Sequence, residues 1–228
     1  VAAAQDNLLC RSFSWAAEVG ARLMGSMPVI CYGSRVRDST DFLQRIDEDQ
    51  ELPELLADAF EFDVRRKGGG ESPRLASGIP LEGIAGDFTG GMFYLCGIAG
   101  SPRSVLYASS EGDAGIIATD LRETLMLVVG FPYWRDSLKY SAGGDLSAMK
   151  SATAFLCRDM MADRPAIEAE QSRVAEALCV PLETPSVLVA RLHAAVKRAG
   201  PDFDFIDDTG EYGSLFGAFP PSHNRSWQ

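Results

Sequence analysis

Gly86–Cys96 reads GDFTGGMFYLC, a glycine-rich knot carrying one carboxylate and one hydroxyl directly in front of five apolar residues. The order of its parts decides what it is. A phosphate-binding loop needs a strand before its glycines and a helix after them, so that backbone N–H groups and the helix N-terminus converge on the anion. Here the strand-like run, Met92–Cys96, comes after the glycines, and Asp87 would repel a phosphate. Neither GxxxxGK followed by Ser or Thr nor GxGxxG occurs in the chain. Gly86–Gly91 is therefore read as a turn, with Asp87 and the glycines in the positions sharp turns favour, aiming Met92–Cys96 into a sheet.

Working outward, Ser104–Ala108 and Gly115–Ala118 are further short runs rich in Val, Ile and Tyr, separated by GIAGSPR and SSEGDA. This spacing predicts an antiparallel meander. The runs are apolar on both faces, which predicts a sheet covered on both sides. Asp120 and Glu123 then form a capping-box-like pair that opens a helix. Leu121, Leu125, Val128 and Val129 give that helix one apolar stripe, and Gly130 with Pro132 closes it.

The flanks are helical by pattern. Upstream, Asp6 caps a helix with apolar positions at Leu9, Phe13, Ala16, Ala17 and Leu23, ending at Gly25. Ser39 or Thr40 starts a second helix through Phe42, Leu43 and Ile46. Leu52–Phe60 is a third, with Pro53 tolerated in its first turn. Arg65-Arg66-Lys67 followed by three glycines breaks the pattern. Downstream of Gly143-Gly144-Asp145, the residues Leu146, Met149, Thr153, Leu156 and Met160 share one face. Asp163 and Pro165 open a helix through Ile167, Val174 and Leu178, and Thr184-Pro185 another through Leu188, Leu192 and Val196, stopped at Gly200-Pro201. The last 28 residues mix aromatics, acids, Gly and Pro, a composition that fits either a docked irregular arm or a mobile tail. The fold class expected is α+β, a mostly antiparallel sheet wrapped by helices, with residues 1–140 carrying the sheet from about position 84. Residues 141–228 form a helical extension packed on the same domain.

The chain has 46% hydrophobic and 23% charged residues, a composition that supports a packed core and not a disordered chain. No apolar run approaches the roughly 20 residues a bilayer span needs. The first residues, VAAAQDNLLCRSF, lack the pattern of a secretory signal, so a cytoplasmic location is expected. A net charge of −11 argues against nucleic acid or anionic membrane as partner. Asp47–Asp63 holds eight carboxylates and no basic residue. Two readings stand: a solvated helical face, or an acidic surface steering a basic protein partner.

Catalytic signatures are sparse. Two histidines, His193 and His223, are too few for HExxH or other multi-histidine metal sites. His193 falls beside an apolar stripe and is expected to make a hydrogen bond at the core boundary. A dyad of Cys96 or Cys179 with His193 stays open on sequence grounds. The five cysteines are scattered without a CxxC, which fits buried thiols better than disulfides or zinc. There is no GxSxG elbow. Asp202, Asp204, Asp207 and Asp208 match a calcium loop only loosely, since the alternation breaks at Ile206. No metal and no cofactor are expected. Asp87, Glu111 and Asp113 lie in loops that could meet at one end of the sheet, where paired carboxylates do acid–base work; turn chemistry is the reading preferred for them, since Asp and Gly are usual in sharp turns.

IPLEGIAGDFTGGMFYLC, Ile79–Cys96, followed by RSVLYASSEGDAGIIATDLRETLMLVV, Arg103–Val129, resembles the core of the SUKH superfamily, which includes fungal cell-wall assembly regulators and bacterial immunity proteins. The matching elements, from about Gly78 to Pro132, are a Gly- and Asp-containing turn, a strand with aromatic residues, a second strand ending near an acidic loop, and a helix of the form DLxExL. The resemblance implies an α+β fold and a protein that works by binding other proteins, in bacteria commonly by docking on toxins. The resulting expectation is a non-enzymatic protein-binding module, an immunity-type protein neutralising a basic toxin or a regulatory scaffold. Its contact surface would lie at the sheet end holding Asp87, Glu111 and Asp113, with Tyr107, Tyr133 and Trp134 as aromatic anchors; core packing is the alternative for Trp134. The alternative function is a small hydrolase-like enzyme using Asp87, Glu111, Asp113 or Cys96.

Overall fold

The computed structural model describes residues 38–68 and 73–227. The helix expected over Asp6–Gly25 lies outside them. Two short helices come first, α1 (Ser39–Glu48) and α2 (Leu52–Phe60). Asp38 caps α1 by accepting from the Ser39 amide. The Asp49 carboxylate accepts from the amides of Glu51 and Leu52 at 2.9 Å, starting α2. Phe42, Ile46, Leu52, Leu56 and Phe60 point inward.

The chain then lays down β1 (Arg74–Leu75), β2 (Leu81–Gly86), β3 (Met92–Cys96), β4 (Ser104–Ala108) and β5 (Asp113–Ala118). Strands β2 to β5 form an antiparallel meander in chain order. Three of them were legible as apolar runs. β2 was not, because LEGIAG carries two glycines and a glutamate, all poor strand formers. Its register comes from pairing, Gly86 opposite Met92 and Leu81 opposite Cys96. Asp63 closes the other edge of β2 by exchanging backbone hydrogen bonds with Gly86 at 2.9 and 3.0 Å.

Side chains alternate across this sheet with the period of two that a pleat imposes. Phe93, Leu95, Val105, Tyr107 and Ile117 enter the main core, shared with the helices. Cys96, Leu106, Ala108 and Ile116 enter a second core with Leu75, Ala195 and Phe205. The sheet is thus covered on both faces, and the fold is α+β.

Helix α3 (Leu121–Gly130) begins as its sequence implies, the Asp120 carboxylate accepting from the Glu123 amide at 2.7 Å. The reciprocal bond differs from a standard capping box: Glu123 accepts from the amide and hydroxyl of Thr119. The single stripe expected for α3 is too narrow, since Leu121 and every residue from Thr124 to Gly130 are buried. Contacts with the sheet, α1, α2 and the later helices over Ile167–Leu178 and Pro185–Arg198 surround this helix, so its polar face has all but vanished.

The short α4 (Trp134–Lys139), not evident in the sequence, leads to α5 (Leu146–Asp163), α6 (Ile167–Leu178) and α7 (Pro185–Arg198). Asp163 ends α5 instead of opening α6. His193 of α7 hydrogen-bonds the Gly144 carbonyl at 2.9 Å. A Cβ on Gly130 would lie 2.6 Å from Leu188 Cδ1, so the Leu188 side chain of α7 packs directly on the backbone of α3 here. No helix among the described residues is long and apolar enough to cross a membrane.

The C-terminal stretch is a docked arm. It forms β6 (Phe205–Asp207), β7 (Gly210–Glu211) and β8 (Gly213–Ser214). β1, β6 and β7 make a small second sheet, and β8 adds to the outer edge of β5 in parallel. Gly217 donates to Leu138 O at 3.0 Å and accepts from Gly143 at 2.8 Å. Trp227 stacks on Phe155 with centroids 5.3 Å apart, and its indole N–H donates to Asp159 at 2.9 Å.

A Cβ on Gly217 would sit 2.4 Å from the Lys139 carbonyl oxygen, whereas one on Gly200 would meet nothing within 4 Å. Gly217→Ala is expected to destabilise the protein by about 2 kcal/mol and Gly200→Ala by less than about 0.5 kcal/mol, as measured by urea unfolding.

Candidate functional site

The β2–β3 and β4–β5 turns lie side by side at one end of the sheet, because Met92 pairs with Ala108 and Gly86 with Met92. A Cβ on Gly90 would be 3.5 Å from Ser110 Cβ. Asp87 and the Glu111–Asp113 loop therefore share that end, but their environments differ completely.

Asp87 is 1% exposed. One carboxylate oxygen accepts from the Thr89 amide at 2.8 Å, the Thr89 hydroxyl at 2.7 Å and the Gly91 amide at 2.8 Å. The other accepts from Tyr107 Oη at 2.6 Å and from the Arg135 guanidinium. Turn chemistry thus accounts for one oxygen, and a cross-element ion pair for the other. Arg135 also pairs with Glu61, whose backbone takes the left-handed conformation (φ 52°) that ends α2. Its guanidinium carbon lies 5.8 Å from the Tyr107 ring centroid and 5.9 Å from that of Trp134. Arg66 donates to the Asp87 carbonyl at 2.9 Å.

The glycines of the knot follow from this packing. A Cβ on Gly91 would lie 2.3 Å from Tyr107 Oη and 2.6 Å from the Asp87 carboxylate. Gly90 has φ +98°, a conformation other residues rarely adopt.

Tyr107 and Trp134 are both 2% exposed, their ring centroids 5.1 Å apart at 83°. Each packs on Phe93 as well. The expectation that Asp87, Tyr107 and Trp134 face a partner is therefore corrected: all three are interior, and they support the surface instead of forming it. Burial, with the Asp87 carboxylate next, pushes the Tyr107 phenol well above its ordinary range. Burial likewise pulls the Arg135 guanidinium below its usual value, opposed by nearby Asp136. Tyr133 is turned away from the sheet end; it donates to Asp163 at the close of α5 at 3.0 Å. Burial, with that hydrogen bond second, pushes it up to about 12.

Glu111 is exposed and Asp113 half-buried. Burial, and secondarily Glu111, raises the Asp113 carboxyl. The β2–β3 turn also carries an aromatic residue that the sequence pattern does not single out. Phe88, at the tip of the β2–β3 turn, is 68% exposed. The only hint was an aromatic residue inside a turn otherwise built of Gly, Asp and Thr.

No family model, curated protein or solved structure matches this chain. What the site does must be read from its own geometry. Cys96, the thiol offered as a nucleophile, is buried in the second core, and that burial pushes it up to about 12. It is a thiol, not a thiolate, at neutral pH. Among the described residues no group of three or more His, Cys, Asp or Glu side chains is arranged to hold a metal ion.

Asp87→Ala, which strips the Thr89, Gly91, Tyr107 and Arg135 donors of their acceptor, is expected to cost about 3 kcal/mol in urea unfolding, and Tyr107→Phe about half that. Cys96 in the native protein is expected to resist iodoacetamide at mildly alkaline pH and to react freely once the protein is unfolded in urea, as peptide mass mapping would record.

Proposed function

We propose that the protein is a non-enzymatic binding module that docks another protein through the turn end of its sheet. The observation that carries this reading is Phe88, a large aromatic side chain 68% exposed on a loop fixed from beneath by the buried Asp87 carboxylate. Interface energy concentrates in a few aromatic or arginine anchors. A loop already held in one conformation loses little entropy on binding. Phe88 supplies the anchor, and the Asp87 network supplies the preorganisation.

Charge sets the kind of partner. Glu111 is exposed in the neighbouring β4–β5 turn, and the chain as a whole carries −11. A basic protein with an apolar pocket complements that surface and is drawn to it at low salt. The likeness of Gly78–Pro132 to SUKH domains supports the narrower reading of an immunity-type protein that neutralises a basic toxin.

The test is affinity purification from the source cells, comparing the wild-type chain with Phe88→Ala and with Glu111→Lys. Both positions are exposed, so the melting temperature should change little. Capture of a specific basic partner should fall about tenfold or more for Phe88→Ala, and for Glu111→Lys chiefly at low salt. A partner retained equally by wild type and both variants counts against docking at this surface.

A further inference from the structure

The C-terminal arm is held to the rest of the chain in two places of different character. Its neck is built into the fold: Leu215 is buried, Gly217 donates to Leu138 O and accepts from the Gly143 amide, and the Ala142 amide donates to the Phe219 carbonyl at 2.9 Å. From Ala218 to Ser226 no residue is buried. The amides of His223, Asn224 and Ser226 bond within this segment, and Phe219, 43% exposed, stacks on His223 with centroids 4.5 Å apart. Burial returns at Trp227, 8% exposed. The outer segment is a strap with one buried anchor at its end.

The groove that receives the anchor has a defined chemistry. Tyr140, at the end of α4, and Phe155 and Asp159, one turn apart on α5, form it. The indole lies parallel to the Phe155 ring, centroids 5.3 Å apart at 7°, and meets Tyr140 at 4.7 Å and 58°. Its N–H donates to the Asp159 carboxylate at 2.9 Å. Phenylalanine has no donor to offer there, and tyrosine carries its hydroxyl beyond the end of the ring. All three receiving side chains stay partly exposed with Trp227 seated, so the groove opens to solvent. Nine residues, Ala218–Ser226, tether the anchor to the neck. A flexible tether of that length holds the anchor at an effective concentration on the order of 1 mM, which a partner segment of micromolar affinity outcompetes.

We propose that this groove recognises a tryptophan-bearing segment of another protein, and that Trp227 occupies it in cis as an autoinhibitory strap. Release of the strap frees the groove, while the neck at Leu215 and Gly217 keeps the fold closed. The groove shares no residue with the Phe88 turn and does not rest on the docking proposed there.

The full chain, uniformly labelled with nitrogen-15, is titrated with an acetylated peptide of its own Pro220–Gln228, PPSHNRSWQ, and with the same peptide carrying alanine or phenylalanine in place of tryptophan. The tryptophan peptide is expected to move the Trp227 indole resonance to its free position, with half-displacement near the tether's effective concentration of about 1 mM. The other two peptides should leave it in place at that concentration. Trp227→Ala, which empties the groove, should bind a fluorescein-labelled copy of the tryptophan peptide about tenfold or more tightly than wild type does. Adding Asp159→Ala should weaken that binding about fivefold or more. Hydrogen exchange reads the release itself: the Trp227 indole N–H should exchange about tenfold or more faster than the Gly217 amide, because the strap opens without the neck. Absence of displacement by the tryptophan peptide, equal displacement by the alanine or phenylalanine peptide, or an indole that exchanges no faster than Gly217 would overturn the proposal, and all three are measured on the wild-type chain. Equal affinity of Trp227→Ala and wild type for the labelled peptide would overturn it as well. None of these readouts involves the docking surface at Phe88, so the two readings fail separately.

Discussion

The Asp87 carboxylate sits in the interior of the sheet's turn end, where an unpaired charge would cost several kcal/mol, and it is tolerated because five donors surround it. Those donors come from three places: its own turn, strand β4 through Tyr107, and helix α4 through Arg135. Arg135 extends the connection to Glu61 at the end of α2. One charge therefore fastens two helices and two strands at the same point. Without the carboxylate, Arg135 would lose a buried partner and the turn would lose the acceptor that shapes it.

The rest of the main core is arranged around α3, whose nearly complete burial leaves it no solvent face. Leu188 of α7 packs on the α3 backbone at Gly130, and α7 in turn packs on β5 and α5. The C-terminal arm closes the far side through Leu215, Phe216 and Trp227. The helical half and the sheet half thus share one core, which is why a helical stripe such as Leu188, Leu192 and Val196 is buried without a partner chain.

Charge is distributed less uniformly than the acidic run between Asp47 and Asp63 suggests. Asp49 is spent on backbone amides at the start of α2, and those bonds hold its carboxyl below the ordinary range. Glu61 pairs with Arg135, Asp63 with Arg65 and Arg66, and Glu51 with Arg173. Asp47, Glu54 and Asp58 are exposed and make no ion pair among the described residues. The run is partly a solvated face and partly a set of structural partners. The field that a basic protein would feel is correspondingly weaker there than the count of carboxylates implies.

Local signals determined a large share of the architecture. Apolar period, caps and turn residues marked α1, α2, α3, α5, α6 and α7 and strands β3 to β5, because each of these features acts within a few residues. They also identified Gly86–Gly91 as a turn and brought Asp87 and the Glu111–Asp113 loop to one end of the sheet. Tertiary structure decided the rest. β2 has weak propensity and exists through its pairing with β3; the tail docks because Trp227 finds Phe155 and Asp159 far away in the chain. It decided above all which side chains face water. Aromatic residues serve equally well in a core or as anchors, and the difference for Tyr107, Trp134 and Phe88 lies in what packs against them: Phe93 and Arg135 lie against the first two, while Phe88 is left 68% exposed.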